Sequence, residues 1–305
     1  MTDLAASNQP LIAATTRWRE TAARYFRLTK PRVIELLLVT TVPAMVLADR
    51  GFPSIGLVLS VLVGGALAAG GANTINCWIE RDRDQIMRRT RGRPLPAGEI
   101  SPSHALVFGI VLELVAFALL WSTVNLLAAA LSASAMLFYI FVYTIWLKPR
   151  SPQNIVIGGA AGAVPVLVGW AAVTGEVAAP AWMLFGIVFL WTPPHFWALA
   201  LRYRDDYAAA SIPMLPVVKG AARASLEILV YAVVVVATTL SLALVADVGA
   251  FYLVAAGILG VLFVAQAVRL YRSPTAERAL RMFLFSNIYL ALLFAAVAVD
   301  TLIAS

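Results

Sequence analysis

A chain of 305 residues in which 61% are hydrophobic and only 13% charged, with a mean hydropathy of +0.86, excludes a water-soluble globular domain, where roughly 25% of residues are charged. The net charge of +7 does not mark a nucleic-acid binder, because the basic residues lie in short segments between apolar blocks and no polar domain carries a basic face. One cysteine, Cys77, and two widely separated histidines, His104 and His195, exclude an internal disulfide framework and a multi-thiolate metal site.

In chain order, the first 30 residues carry Arg17, Arg19, Arg24, Arg27 and Lys30 but no apolar core of the kind a cleaved secretory signal needs. They read as a retained N-terminal extension, with Asp3 and Glu20 weighing against an acid-poor transit peptide. One membrane domain follows over residues 31–305. Its apolar runs, about 17 to 24 residues long, suffice to cross a hydrocarbon core of about 30 Å at about 1.5 Å per residue. They fall at Val33–Ala48, Ser54–Trp78, His104–Trp121, Asn125–Leu147, Asn154–Val173, Ala179–Leu201, Leu226–Val245, Ala250–Val268 and Met282–Ile303. The expected fold is therefore an all-α bundle of nine transmembrane helices, with the second and sixth running past the bilayer into the links that follow them.

Placing the N-terminus in the cytoplasm puts the C-terminus outside. It leaves 22 of the 23 Lys and Arg residues on the inner face and Arg50 alone on the outer one. A bias this strong fixes the orientation and supports an odd number of spans, since one helix more or fewer would scramble the alternation. Glu35, Glu113 and Glu227 fall in or near spans, where contacts between helices account for them better than a substrate role. The Gly158-Gly159-Ala-Ala-Gly162 stretch lies inside an apolar run with no preceding strand, so it reads as close helix packing and not as a phosphate loop.

The polar chemistry collects in two inner links. The first continues the second helix as Asn76-Cys-Trp-Ile-Glu80-Arg-Asp82-Arg-Asp84. At 100° per residue, Asn76, Glu80 and Asp84 project within about 80° of one another, while Asp82 lies about 200° from Glu80. The resulting oxygen-lined stripe suits Mg²⁺, a hard ion that takes one or two carboxylates and completes its octahedron with water and substrate phosphate. The bland alternative is a solvated helix end in which Glu80 and Asp84 pair with Arg83 and Arg88. The basic run Arg88 to Arg93 that follows favours a metal-diphosphate site. The second link begins on the sixth helix as His195-Phe-Trp-Ala-Leu-Ala-Leu-Arg202-Tyr-Arg-Asp205-Asp206. His195, Arg202 and Asp206 share a face if the helix continues unbroken, and Pro193-Pro194 is expected to break or kink it just above His195. A histidine hydrogen-bonded inside the bundle is the competing reading of His195. Lys148 and Arg150, after the fourth span, and Lys30 and Arg32, before the first, add cations to the same face, although topology alone explains most of them.

Together these pieces resemble the UbiA superfamily of intramembrane prenyltransferases, which have nine helices and two acidic cytoplasmic motifs. The likeness extends over most of the chain after about residue 25. The strings Leu28-Thr-Lys-Pro-Arg-Val-Ile34, Arg89-Thr-Arg-Gly-Arg-Pro-Leu95, Asn154 to Ala163, His195-Phe-Trp-Ala-Leu-Ala200 and Ile212-Pro-Met-Leu-Pro-Val-Val218 are similar to its heme-farnesylating branch in particular. The resemblance implies farnesyl diphosphate as donor, protoheme (heme B) as acceptor, Mg²⁺ as cofactor, and a bacterial inner membrane as location. It implies heme O as product, for use by a heme A synthase or a terminal oxidase. Carried over by position, Asn76, Glu80 and Asp84 match the first motif and Asp206, with neighbour Asp205, the second, as metal or catalytic residues. Arg89, Arg93 and Lys148, with Arg150 beside it, match diphosphate cations, and His195 and Arg202 fall on the heme side. Glu80 stands where the superfamily usually has Asp, and Arg202 where quinone-type members have a carboxylate.

Two other functions stay open on these residues. One is a relative with a phenolic acceptor such as 4-hydroxybenzoate. The other is a transporter, whose substrate site would sit at mid-bilayer on helices broken at Pro165 or Pro193-Pro194.

Overall fold

The computed structural model describes residues 9–305, with the side chains of residues 9–17, 32, 33 and 35–38 outside the description. The expectations for Asp3, Arg17, Arg32 and Glu35 thus lie outside the described residues. Helix α1 (Gln9–Leu28) falls in the stretch read as an N-terminal extension, and α2 (Pro31–Asp49), α3 (Ile55–Ile86) and α4 (Pro102–Thr123) follow. Helix α5 (Leu126–Leu137) passes directly into a π-helical segment, Phe138–Leu147. Then come α6 (Asn154–Thr174), α7 (Ala179–Arg202), the short α8 (Arg204–Ala209) and α9 (Leu215–Val218), α10 (Gly220–Ser241), α11 (Ala250–Arg272) and α12 (Ala276–Ala304). Eight helices among the described residues are long and apolar enough to cross a membrane. The remaining expected span corresponds to α2, whose described apolar part is Val39–Asp49.

Local chemistry sets the helix starts. Ser54, Ser101, Asn125 and Thr275 each accept a backbone N–H of the first turn of the helix they precede, which satisfies a donor that has no intrahelical partner. Lipid offers the helices no hydrophobic drive to associate, so close packing must hold them together. The α3–α4 crossing shows how: a Cβ at Gly71 would lie 2.8 Å from the Gly109 carbonyl, and one at Gly109 would lie 2.8 Å from Ile75. Glu113 is buried against Gly71 in this crossing, which bears out the helix-contact reading. Glu227 pairs with Arg223 at 2.6 Å on its own helix. The glycine-rich stretch of α6 also packs as expected, since a Cβ at Gly158 would sit 2.2 Å from the Tyr143 ring and one at Gly159 2.9 Å from Thr192.

Links that should share a face meet one another. The α2–α3 and α10–α11 links join through Arg50 and Asp247 at 2.9 Å, and the links after α3 and α7 join at the opposite end through Arg89 and Asp206. Near the α10–α11 link, the buried Asp300 carboxylate of α12 accepts the backbone N–H of Gly249 (2.5 Å) and of Tyr252 (3.0 Å), capping α11 from a neighbouring helix. Asp300→Ala should therefore lower stability by about 1–3 kcal/mol, the cost of leaving buried donors unpaired. Thermal unfolding in detergent measures it, and an unchanged midpoint would remove the cap from the account.

Two expectations need correction. Helix α7 is unbroken across Pro193-Pro194, and α6 across Pro165. Membrane helices tolerate proline where neighbouring helices pack around the freed carbonyls, and Pro193 and Pro194 are both buried. The broken mid-bilayer helices of the transporter reading are absent at these prolines. The interruption comes instead at Tyr203, so Asp206 sits on α8 and not on the face of His195 and Arg202. Asp205 and Asp206 stand in the first turn of α8, where carboxylates favour a new helix start.

Candidate active site

The site begins with the end of α3, whose stripe of Asn76, Glu80 and Asp84 is 1%, 4% and 4% exposed. This burial rejects the solvated-helix alternative. Glu80 and Asp84 pair with cations from other elements, not with Arg83 and Arg88. The Lys148 ammonium lies 2.5 Å from Glu80 Oε1, and Arg93 Nη1 donates to Asp84 Oδ2 at 2.6 Å. Asp82 points outward and is 81% exposed at its side chain, as the helical angle requires.

Each cation arrives from a different element. Lys148 closes the π segment, with its backbone N–H on the Tyr143 carbonyl and its ammonium 5.7 Å from the Tyr143 ring centre. Arg93 comes from the loop after α3, which Thr90 ties back by donating to the Asp84 carbonyl at 3.0 Å. Lys30 sits in the α1–α2 turn with a left-handed backbone, φ 53°, and donates to Asn76 Oδ1 at 2.7 Å. Burial lowers the Lys30 ammonium below its ordinary value. Burial alone would also pull Arg93 and Lys148 down, but Asp84 and Glu80 respectively offset it and hold both above their ordinary values. Both therefore stay charged at any physiological pH.

The second link reaches the first directly, with Asp206 Oδ2 accepting the Arg89 backbone N–H at 3.1 Å. The Arg89 and Arg202 guanidinium groups lie 5.6 and 5.7 Å from the Tyr203 ring centre, so two exposed cations flank this junction. Asp205 is exposed. Arg150 is not brought to the stripe, because its guanidinium donates to the Ile145 and Trp146 carbonyls and caps the π segment. Among the described residues no three His, Cys, Asp or Glu side chains converge as a ready-made metal cage. The five residues Asn76, Glu80, Asp84, Asp205 and Asp206 are thus not one preformed cluster. Their oxygens still fit an ion that takes one or two carboxylates and draws its other ligands from substrate phosphate.

His195 is buried on α7, between the rings of Trp191 (4.2 Å between centres) and Phe283 (4.5 Å). Its Nδ1 lies 2.7 Å from Ser286 Oγ. Ser286 donates its single proton to the Phe283 carbonyl at 2.6 Å, so Nδ1 must be the donor toward Ser286. The imidazole is thereby fixed as the tautomer with its lone pair on Nε2. A histidine hydrogen-bonded inside the bundle is what the structure contains, with its tautomer set from α12. Sequence reasoning did not single out Ser286 or Thr144. Thr144 left one signal, as a polar residue in an apolar run four positions before Lys148 and hence on the same helix face.

Buried carboxylates matched with cations at the end of an apolar helix bundle define a membrane protein with a charged site where its helices end. Residues 37–293 match the UbiA prenyltransferase family, and the chain belongs to that family. It is 55% identical over 300 residues to protoheme IX farnesyltransferase 1 of Saccharopolyspora erythraea, covering 97% of this chain and 96% of that one. It is 51% identical over 306 residues to protoheme IX farnesyltransferase of a Nocardioides species, covering 98% of each. Its fold is similar to that of a digeranylgeranylglyceryl phosphate synthase (TM-score 0.76, 19% identity, 93% of this chain and 99% of that one). A UbiA homolog from Archaeoglobus fulgidus bound to GPP and Mg²⁺ is also similar (TM-score 0.63, 19% identity, 90% and 99%).

Proposed function

We propose that this chain transfers a farnesyl group from farnesyl diphosphate to a vinyl group of protoheme, releasing diphosphate and giving heme O. The reaction breaks the C1–O bond of the donor and forms a C–C bond from C1 to the vinyl carbon. Water adds at the neighbouring carbon, and one proton is released. The observation that carries the reaction class is the junction of Asp206 with the Arg89 backbone beside the buried Asn76-Glu80-Asp84 stripe. The near full-length likeness to protoheme IX farnesyltransferases supports the acceptor.

Mg²⁺, when bound, supplies charge neutralisation of the departing diphosphate. Asn76, Glu80, Asp84 and Asp206, with Asp205 beside them, offer the oxygens to hold it. Lys148, Arg93 and Arg89 bind the phosphate oxygens, exchanging their present carboxylate and ring partners for the substrate. The apolar bundle keeps water from the developing allylic cation until carbon has captured it. His195, with its lone pair on Nε2, and Arg202 lie on α7 as candidates to orient the heme. The charge distribution of the links supports an inward-facing site, a cytoplasmic N-terminus and an outer C-terminus, and the bacterial relatives support the inner membrane as location.

The test incubates purified protein with farnesyl diphosphate, Mg²⁺ and either heme or 4-hydroxybenzoate. Farnesylated heme is the expected product, dependent on Mg²⁺. Prenylation of the phenol alone would overturn the acceptor assignment.

A further inference from the structure

We infer that Thr144 is a positioning residue that fixes which end of the Asn76 carboxamide faces the bound cation, an inference that rests on the metal-diphosphate reading of the α3 stripe. The two ends of a carboxamide have nearly the same shape, so the hydrogen-bond network must decide its orientation. Here two independent constraints decide it the same way. On one side the Lys30 ammonium, which can only donate, stands 2.7 Å from Oδ1. That position requires the oxygen.

On the other side Nδ2 donates to Thr144 Oγ1 at 3.1 Å. Thr144 has a single hydroxyl proton and gives it to the Tyr139 carbonyl at 2.8 Å. A carbonyl only accepts, so Oγ1 presents a lone pair to Asn76 and demands the N–H end of the amide. Tyr139 lies five residues before Thr144, within the π-helical run Phe138–Leu147. In that geometry the carbonyl five residues back is the one a residue faces, and π segments recur at functional sites. Lys148, the partner of Glu80, directly follows the same run. One unusual helix segment and its cap thus orient the first oxygen of the stripe and set a charge against the second.

Without the Thr144 hydroxyl, one of the two constraints is lost and Lys30 alone opposes a half-turn of the amide. A turned amide would present an N–H₂ donor where the oxygen now stands, a group that cannot ligate a cation held there. An aspartate at position 76 has an acceptor at both ends, so its orientation carries no such cost.

Binding of Mn²⁺ in the presence of farnesyl thiodiphosphate, read as free Mn²⁺ by electron paramagnetic resonance, tests this without turnover. Thr144→Val should weaken Mn²⁺ binding about tenfold, as the loss of an outer-shell partner does. Thr144→Ser, which keeps the hydroxyl, should bind as the parent does, and Thr144→Val should cost little in an Asn76→Asp background. If Val does not fold at this buried position, Thr144→Ala is read in the same way. Equal binding by Thr144→Val and the parent would overturn the inference, as would a Thr144→Ser variant as weak as Thr144→Val. Asn76→Ala separates the two layers. If it binds Mn²⁺ like the parent, the assignment of Asn76 to the metal site fails. If it weakens binding while Thr144→Val does not, the role of Thr144 alone fails.

Discussion

Asp84→Asn should reduce turnover about 100- to 1,000-fold, the range seen when one preorganised electrostatic partner of a developing charge is removed. The substitution keeps the size of a side chain that is only 4% exposed and leaves the backbone carbonyl that Thr90 uses to anchor the basic loop. Structure around the site therefore survives, and the loss falls on charge. An amide oxygen is a poorer ligand for a hard divalent ion than a carboxylate, and Arg93, held above its ordinary value partly by Asp84, keeps its charge with its partner gone. Initial rates at saturating farnesyl diphosphate and heme measure the effect. Asp82→Asn serves as the control, since that carboxylate is exposed and on the opposite side of the helix. Asp84→Asn activity within threefold of the parent would remove Asp84 from the site.

Lys148→Met is the second large effect, and it should appear first as instability. Glu80 and Lys148 form a pair whose side chains are 5% and 14% exposed. Removing the cation leaves a buried carboxylate without its counter-charge, at about 3–5 kcal/mol. Adding Glu80→Gln to Lys148→Met should recover most of the stability, because both charges are then gone, but not the activity, because the site has lost a diphosphate cation and a ligand together. The pH dependence follows from the direction of the Lys148 shift. A lysine held above its ordinary value in the folded protein contributes fully below about pH 10.4 and loses that contribution only as pH rises through the higher folded value. The stabilisation that Lys148 gives the parent should thus be flat from about pH 6 to 9. Thermal unfolding in detergent across that range checks both points. A double variant no more stable than Lys148→Met alone would contradict the pairing.

Much of this architecture was legible because membrane burial leaves a simple record. The apolar runs announced the long helices, and the alternation of Lys and Arg grouped the links that meet, such as the one after α3 with the one after α7. The stripe of Asn76, Glu80 and Asp84 was legible because helical angle depends only on spacing, and α3 runs unbroken to Ile86. Partners were not legible. Periodicity cannot say that Glu80 will find Lys148 from another helix instead of a neighbouring arginine, since that choice depends on how helices cross. The break at Tyr203 was hidden for a related reason. Prolines 193 and 194 looked like the weak point, yet packing held the helix there and it ended where two aspartates could start another. The π-helical run before Lys148 left no pattern in the apolar sequence, and although Thr144 stood out there as a polar residue, its role became visible only through its bonds to Asn76 and Tyr139.

In the proposed reaction, the links after α3 and α7 hold one diphosphate together through a divalent ion. The most direct measurement is the affinity for farnesyl thiodiphosphate as a function of Mg²⁺ concentration, in the parent, Asp84→Asn and Asp206→Asn proteins. Affinity should rise with Mg²⁺ in the parent and lose that rise in both variants, although the two residues stand on separate links. A Mg²⁺ dependence that survives intact in the Asp206→Asn protein would contradict the claim.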